Sequence, residues 1–296
     1  MIRSAPRLLD RLMAASLVEH GTDFALPRNE PGLVGPDSVS WRVFRNPVTM
    51  YIGGVAAVLL ELGEPRVRHG VWDHSSFRRD PARRLRRTGQ AAMVTVYGAR
   101  SSFELLAARV ARMHARVTGV TPAGEAYAAS DPELLRWVQA TASWAFVEAY
   151  RRWARPLTPA AVDRYYAEGA PGAAMYGVVG APADAAEMAA LFAGMTPRLG
   201  SSPILQELLS ILRTAAILPL PLNPLQNTMA AAAVALLPPD LRDRLGLLRE
   251  RLPSPPERWL LRAMARAAEQ THWPSAPYAQ ASRRLGLAGD HILKAA

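Results

Sequence analysis

The chain of 296 residues is long enough to bury a substantial core, as one large domain or two small ones. Half of its residues are hydrophobic and only 20% are charged, which is a globular composition. It contains no cysteine, which excludes disulfides, iron–sulfur clusters, thiolate metal ligands and cysteine nucleophiles, so any metal must be held by histidine, carboxylate or other oxygen ligands.

The formal net charge is +10, but Lys294 is the only lysine, so 34 of the 35 basic residues are arginines. These are spread along predicted helices in pairs such as Arg83-Arg84 and Arg151-Arg152, and solvated helix faces explain most of them. No helix-turn-helix, zinc-finger or RNA-binding signature accompanies them, so we expect no nucleic-acid partner. Weak attraction to an anionic membrane surface stays open.

In the first half of the chain, residues 5–20 have the amphipathic pattern of a helix. The first ten residues lack the continuous apolar core of a signal peptide, so we expect cytoplasmic residence. Residues 24–36 are rich in proline and glycine and predict a loop. Residues 47–62 are apolar nearly all round, which indicates a buried helix, too short and too close to Arg45 and Glu61 for a membrane span. Asp80-Pro81 is a helix cap followed by proline, opening a helix to about Tyr97.

In the second half, Ser130-Asp-Pro-Glu133 predicts a capping box that starts a helix over 132–153. Thr158-Pro159 opens a shorter helix ending near Gly169. Residues 218–226 are apolar but contain three prolines, which indicates a buried or ligand-facing connector. Further helices are predicted at 183–195, 203–218, 227–237, 239–250 and 256–270, with a less regular tail.

No segment alternates cleanly enough to predict a strand; residues 93–97 come closest, at the end of a good helix. We therefore predict an all-α protein with a single helical domain of about eight to ten helices. Residues 1–44 form an N-terminal helix and loop, residues 45–250 the main helical domain, and residues 251–296 a C-terminal helix and tail packed on the same domain.

The helix around His114 is the most informative stretch. Ser101 or Ser102 is suited to its N-cap and Gly119 to its C-terminal stop, which predicts a helix of about four turns. Residues at helical spacing from the histidine form an apolar stripe, whereas the arginines lie on another face, so His114 points into the core. The stripe comprises Phe103, Leu106, Val110 and Val117, and the arginines are Arg109, Arg112 and Arg116. A buried imidazole needs a partner, either a backbone carbonyl or a metal.

The order of several motifs between Gly70 and Val138 resembles the MpaB and latex-clearing-protein family of haem oxygenases. The similarity continues more loosely through Pro156-Leu-Thr158, Tyr165-Tyr166 and Leu237-Pro-Pro-Asp-Leu-Arg242, and so covers most of residues 45–250. The motifs are Gly70-Val-Trp-Asp-His-Ser-Ser-Phe77, Asp80-Pro81, Arg84-Leu-Arg-Arg-Thr88, Val110-Ala-Arg-Met-His114-Ala-Arg-Val-Thr-Gly119 and Tyr127-Ala-Ala-Ser-Asp-Pro-Glu-Leu-Leu-Arg-Trp-Val138.

This resemblance implies a globin-like helical core and a haem b whose iron is bound by His114. It also implies that the Arg-x-x-x-Thr pair, Arg84 and Thr88, borders the haem and takes part in catalysis. Considered without the resemblance, Arg84 is equally read as a helix-surface arginine and Thr88 as a mid-helix residue that bonds its own turn. Asp73 and His74 are candidate distal catalytic groups, or equally a local helix cap. His20, His69, His272 and His291 lie in polar or irregular contexts and receive no role.

Two positions depart from the family pattern. Arg87 stands where latex-clearing proteins carry a lysine. We place Arg87 among the haem-binding residues. It is not expected to bind the iron itself, because arginine stays protonated and is a poor iron ligand. Gln139 stands where many relatives have histidine, and glutamine cannot shuttle a proton.

Two functions follow as hypotheses. In the first, the protein is a haem-dependent oxygenase that uses O₂ to oxidise an apolar organic substrate, with the proline-rich connector lining a hydrophobic channel. In the second, suggested by Arg87 and Gln139, it binds haem or a small ligand as a sensor or carrier without catalysis. A third and weaker reading is a helical bundle without haem, in which His114 is a core residue.

Overall fold

The structure is a computed structural model, and it describes residues 3–8, 10, 22–215, 217–218 and 223–294. Those residues form fourteen α-helices and four strands of two or three residues each, which confirms the all-α prediction. The helices are α1 (Val39–Phe44), α2 (Pro47–Glu61), α3 (Pro65–Trp72), α4 (Pro81–Tyr97), α5 (Arg100–His114), α6 (Pro132–Ala149), α7 (Pro159–Met175), α8 (Ala185–Met195), α9 (Pro203–Thr214), α10 (Gln226–Leu236), α11 (Pro239–Arg244), α12 (Pro255–Gln270), α13 (Pro277–Arg284) and α14 (His291–Lys294).

Helix α2 lies at the centre of the fold, packed mainly against α6 and also against α10 and α12. Asn46 caps it by accepting hydrogen bonds from the backbone amides of Val48 and Thr49 at 3.1 and 3.3 Å. A Cβ at Gly53 would lie only 2.8 Å from Phe146 Cδ1, so α2 and α6 approach as closely as they do because this position has no side chain. The predicted buried helix is confirmed.

A buried polar network joins the start of α2 to α12. Glu269 accepts hydrogen bonds from Arg45 Nη2 at 2.6 Å, from Asn46 Nδ2 at 2.9 Å and from the Tyr150 hydroxyl at 2.8 Å. Tyr150 begins the π-helical turn Tyr150–Ala154 that ends α6. Because its charge is paired and its oxygens accept three hydrogen bonds, Glu269 can be buried at this junction.

The predicted helix caps are confirmed in part. Asp80 caps α4 as expected, with Oδ1 accepting from the Arg83 amide at 3.0 Å. At α6 the cap is Asp131 rather than Ser130, because Pro132 occupies the first helical position and Asp131 Oδ1 accepts from the Glu133 amide at 2.8 Å. At α5 the N-cap is Ala99, and neither Ser101 nor Ser102 caps the helix.

Several helix ends differ from the prediction. Helix α7 continues past Gly169 and through Pro171 to Met175, because its last turns pack Gly172 near Thr95 and Phe103. Helices α9 and α11 end earlier than expected, at Thr214 and Arg244. The tail predicted as less regular forms α13 and α14, which raises the number of helices above the expected eight to ten.

The expectation of no strands was wrong for two short pairings. Strand β1 (Arg3–Ser4) pairs in parallel with β4 (Thr271–His272), and β2 (Thr118–Val120) pairs with antiparallel β3 (Ala126–Ala128). Gly119 is therefore a strand residue opposite Tyr127, not the stop of α5. The helix predicted at 5–20 lies largely outside the described residues, as do 219–222 of the proline-rich connector.

Among the described helices, none is by itself long and apolar enough to cross a membrane. Helices α2 and α3 together are long and apolar enough for a membrane span, but their axes are bent by 113° at the break between them. Nearly all of α2 is buried inside the protein, which is typical of a core helix.

Candidate functional site

Helices α4 and α5 pack against each other and carry the predicted site residues other than Asp73 and His74, which follow α3. The stripe predicted on α5 is confirmed, because its residues are buried or half-buried and its arginines are exposed. Phe103 is buried, and Leu106, Val110, His114 and, just beyond the end of α5, Val117 are half-buried. The exposed arginines are Arg109, Arg112 and Arg116.

His114 is the last residue of α5, where the chain turns toward β2. Its carbonyl accepts a hydrogen bond from the Val117 amide at 3.0 Å, but its side-chain Nδ1 is buried and has no hydrogen-bond partner among the described residues. Burial, and then the nearby positive charge of Arg84, lower the pKa of His114 below its ordinary value. The imidazole is therefore neutral at pH 7, the form that can bind a metal.

Arg84 and Thr88 interact directly on α4. Arg84 Nη1 donates a hydrogen bond to Thr88 Oγ1, and Thr88 Oγ1 donates to the carbonyl of Arg84 at 3.0 Å. The guanidinium also lies over the Phe77 ring, 5.5 Å from its centroid. Burial lowers the pKa of Arg84. The negative charge of Glu61 opposes this shift, and the positive charge of Arg87 adds to it. Thr88 is exposed and bonds its own helical turn, as the local alternative predicts, and it also accepts from Arg84, so the two side chains are joined on the helix beside α5. Their proposed role at a haem stays a prediction.

Glu61, at the end of α2, is the residue that the sequence predictions missed. It is half-buried, and loss of hydration raises the pKa of its carboxyl to about 7, an effect that Arg84 opposes electrostatically. Arg84 therefore lies within electrostatic reach of both Glu61 on α2 and His114 on α5. The sequence does contain a signal that could have identified Glu61, because it is the only charged residue in the otherwise apolar segment 47–62.

Asp73 and His74 make their side-chain contacts outside the group formed by Glu61, Arg84, Thr88 and His114. Asp73 is the C-cap of α3, and its carboxylate contacts the His69 ring at 3.1 Å. His74 Nε2 lies 3.2 Å from the hydroxyl of Tyr127 on β3. Both residues are exposed, and none of their contacts with described residues involves Arg84, Thr88 or His114. Asp73 thus ends a helix, and a distal catalytic role for Asp73 or His74 stays a prediction.

The other positions singled out by the sequence have local surroundings. Arg87 is exposed on α4 and acts on the site electrostatically through Arg84. Gln139, on α6, donates from Nε2 to Ser143 Oγ at 2.9 Å, whereas its buried Oε1 has no partner among the described residues.

Among the histidines that received no role, His69 and His291 contact aspartates, at 3.1 Å from Asp73 and 2.9 Å from Asp37. His272 lies in β4. His20 lies outside the described residues.

Comparison with known proteins identifies the family. Residues 41–270 match the family model of the catalytic domain of the ER-bound oxygenase mpaB/B′ and rubber oxygenase. No curated protein and no solved structure is significantly similar to the chain. The matched region runs from α1 to the end of α12 and contains Glu61, Arg84, Thr88 and His114. The protein therefore belongs to the family of mpaB-type and rubber oxygenases.

Proposed function

We propose that this protein is a haem b-dependent oxygenase that uses O₂ to oxidise an apolar organic substrate, with His114 as the protein ligand of the iron. The observation that carries the proposal is the unpartnered, buried Nδ1 of a half-buried histidine within electrostatic reach of Arg84. A buried ring nitrogen without a protein partner is open to a ligand, and His272 Nδ1 has the same property. His114 is preferred because it lies in the matched family region and within electrostatic reach of Arg84.

The donor set around His114 fits haem better than a bare metal ion. Within the described part of the chain, no group of three or more His, Asp or Glu residues is placed to hold a metal. Haem supplies four nitrogen ligands itself and needs one protein ligand, which a single histidine provides. When bound, the haem would supply the redox chemistry with O₂.

The neighbouring side chains have roles that follow from their chemistry. Arg84, oriented by Thr88, provides a fixed positive charge that can pair with a carboxylate such as a haem propionate. Glu61 has a pKa of about 7, so its carboxyl can both accept and release a proton near neutral pH. The half-buried aliphatic residues Val110 and Leu106, about one and two turns before His114 on the same face of α5, would give a hydrocarbon substrate an apolar surface.

The first test is the visible absorption spectrum of protein produced with ample haem, compared with His114→Ala. We expect a Soret band in the wild type that is lost or shifted in the variant. His291→Ala is the matched control, because His291 is a surface histidine paired with Asp37, and its spectrum should be unchanged. Circular dichroism verifies that each variant keeps its helices.

A folded, colourless wild-type protein supplied with haem would overturn the cofactor assignment. If haem is bound, O₂ consumption is measured with a panel of unsaturated apolar compounds. Sustained consumption that depends on His114 supports the oxygenase and excludes a sensor or carrier. Stoichiometric haem without turnover of any substrate in the panel would favour the non-catalytic binding protein.

A further inference from the structure

One outward stripe of α12 combines arginines with an exposed tryptophan. Its members are spaced by three and four residues, so they share one face of the helix and line a shallow groove of about 420 Å³. We call this face the Arg–Trp stripe; it consists of Pro255, Arg258, Trp259, Arg262, Ala263 and Arg266.

The opposite face of α12 is anchored in the protein. Leu261, Ala265 and Glu269 are buried, and Asn46 Nδ2 donates to both the Ala265 carbonyl and the Glu269 carboxylate at 2.9 Å. Rotating the helix to bury the stripe would break this network and expose the core residues. The fold therefore keeps the stripe at the surface, with Trp259, Arg262 and Arg266 exposed and Arg258 and Ala263 half-buried.

The positive charge of the stripe is not neutralised within the described part of the protein. Arg258, Arg262 and Arg266 form no ion pair there, and neither does the nearby Arg152. Arg152 and Arg262 both lie over the Trp153 ring, at 6.0 Å and 5.7 Å from its centroid respectively. The two acidic residues of α12 are already engaged, because Glu257 binds Arg251 and Ser254 and Glu269 is buried. A cationic surface without internal acidic partners is complementary to an anionic one.

Exposed apolar side chains are concentrated in the same segment. Trp259 is 71% exposed and its neighbour Leu260 is 38% exposed, while Leu248 and Leu252, just before the helix, are 50% and 40% exposed. Tryptophan and leucine beside arginines match the boundary between lipid headgroups and acyl chains, where each group finds its preferred surroundings. A nucleic acid would use the charge but leave the leucines in water.

We propose that the Arg–Trp stripe docks the protein on an anionic lipid bilayer, with the arginines on the headgroup phosphates and Trp259 inserted at the headgroup boundary. This proposal does not depend on the haem chemistry, because it involves the outward face of α12 and none of the residues assigned to the haem site.

The test is sedimentation of the purified full-length protein with vesicles of phosphatidylcholine alone and with phosphatidylglycerol added. We expect binding to the anionic vesicles at low salt, weakening as salt is raised, and little binding to the neutral ones. The double variant Arg262→Gln, Arg266→Gln should lose about tenfold or more in affinity, since two phosphate-pairing charges are removed.

The matched control is Arg28→Gln with Arg79→Gln, which removes the same charge from two exposed arginines outside α12 and should bind like the wild type. Insertion is followed with vesicles whose acyl chains are brominated. The wild-type tryptophan emission should be quenched, and Trp259→Phe should abolish that quenching, because the other described tryptophans are buried or half-buried.

The proposal is overturned if anionic vesicles do not bind the protein, or if the stripe and control variants bind equally. Equal binding to neutral and anionic vesicles would contradict the role of the arginines. Binding to a DNA or RNA oligonucleotide but not to vesicles would assign the stripe to a nucleic acid instead. The haem content measured on the same samples is expected to be the same in all variants.

Discussion

Arg84 and Thr88 lie one helical turn apart on α4, and their side chains are hydrogen-bonded, with Arg84 Nη1 donating to Thr88 Oγ1. Thr88 at the same time donates to the Arg84 carbonyl at 3.0 Å, so its hydroxyl is fixed by its own helix and cannot rotate freely. This geometry orients the guanidinium whose charge acts on both Glu61 and His114. Thr88 is thus a positioning residue for Arg84.

Thr88→Val removes the acceptor of this hydrogen bond while keeping the shape of the side chain. We expect the affinity for haem to fall about tenfold, the equivalent of one lost charge-assisted hydrogen bond, with the His114-dependent Soret band retained. Titration of the haem-free protein with haemin measures the change. Thr214→Val is the control, because its hydroxyl makes the same kind of intrahelical bond, to the Ser210 carbonyl, on another helix. Equal losses in both variants would contradict a specific role for Thr88.

Glu61→Gln tests the proton-transfer role of the carboxyl. The amide is nearly isosteric but cannot exchange a proton at neutral pH, so turnover should fall by about 10²-fold or more with haem content unchanged. In the wild type the rate should depend on pH with a midpoint near 7, the pKa of Glu61, and the variant should lose this dependence. O₂ consumption across the pH range is the measurement. Unchanged turnover in the variant would remove Glu61 from the mechanism.

The same substitution predicts an effect on stability. The pKa of Glu61 is raised from 4.5 to about 7 on folding, so the neutral carboxyl contributes stability that is fully present below pH 4.5 and is lost as the pH rises through 7. Between pH 5 and 8 the wild-type free energy of unfolding should therefore fall by about 2 to 3 kcal/mol more than that of Glu61→Gln. Urea unfolding of both haem-free proteins at the two pH values measures this difference. Parallel pH dependences would show that Glu61 is hydrated in the folded state.

Glu269→Ala should be strongly destabilising. It leaves Arg45 as an uncompensated charge, 97% buried, and removes acceptors from Asn46 and Tyr150, which together predict a loss of about 3 to 5 kcal/mol. Chemical denaturation monitored by circular dichroism measures it. Glu207→Ala breaks the exposed ion pair with Arg78 and should cost at most about 1 kcal/mol. A similar cost for both variants would mean that the buried network does not hold α12 to α2.

The sequence by itself determined the local features of this protein. Asp80-Pro81 sets the start of α4, the apolar run after Pro47 specifies the buried helix α2, and the spacing of residues around His114 specifies the inward stripe of α5. Each depends on neighbours within one or two turns, where capping and helical periodicity act. The motif order was also sufficient to identify the family.

Only the tertiary structure decided the features that depend on distant residues. Glu30 lies in a loop 71 positions before Ser101 and accepts hydrogen bonds from both the amide and the hydroxyl of Ser101. The Ser101 hydroxyl is therefore bonded to Glu30 and does not cap α5. Packing of Gly172 near Thr95 accompanies the extension of α7 beyond its predicted end. Gly119, suited to end a helix, pairs with Tyr127 in a hairpin instead.

The same distinction applies to the candidate site. The Arg84–Thr88 unit follows from helical spacing, but the electrostatic effect of Arg84 on Glu61 of α2 and on His114 of α5 depends on how three helices pack. Asp73 and His74 are close to the motif in sequence, yet their contacts are with His69 and Tyr127. Chain proximity fixes a side chain only relative to its own helix, whereas electrostatic coupling between helices depends on the packing of the whole core.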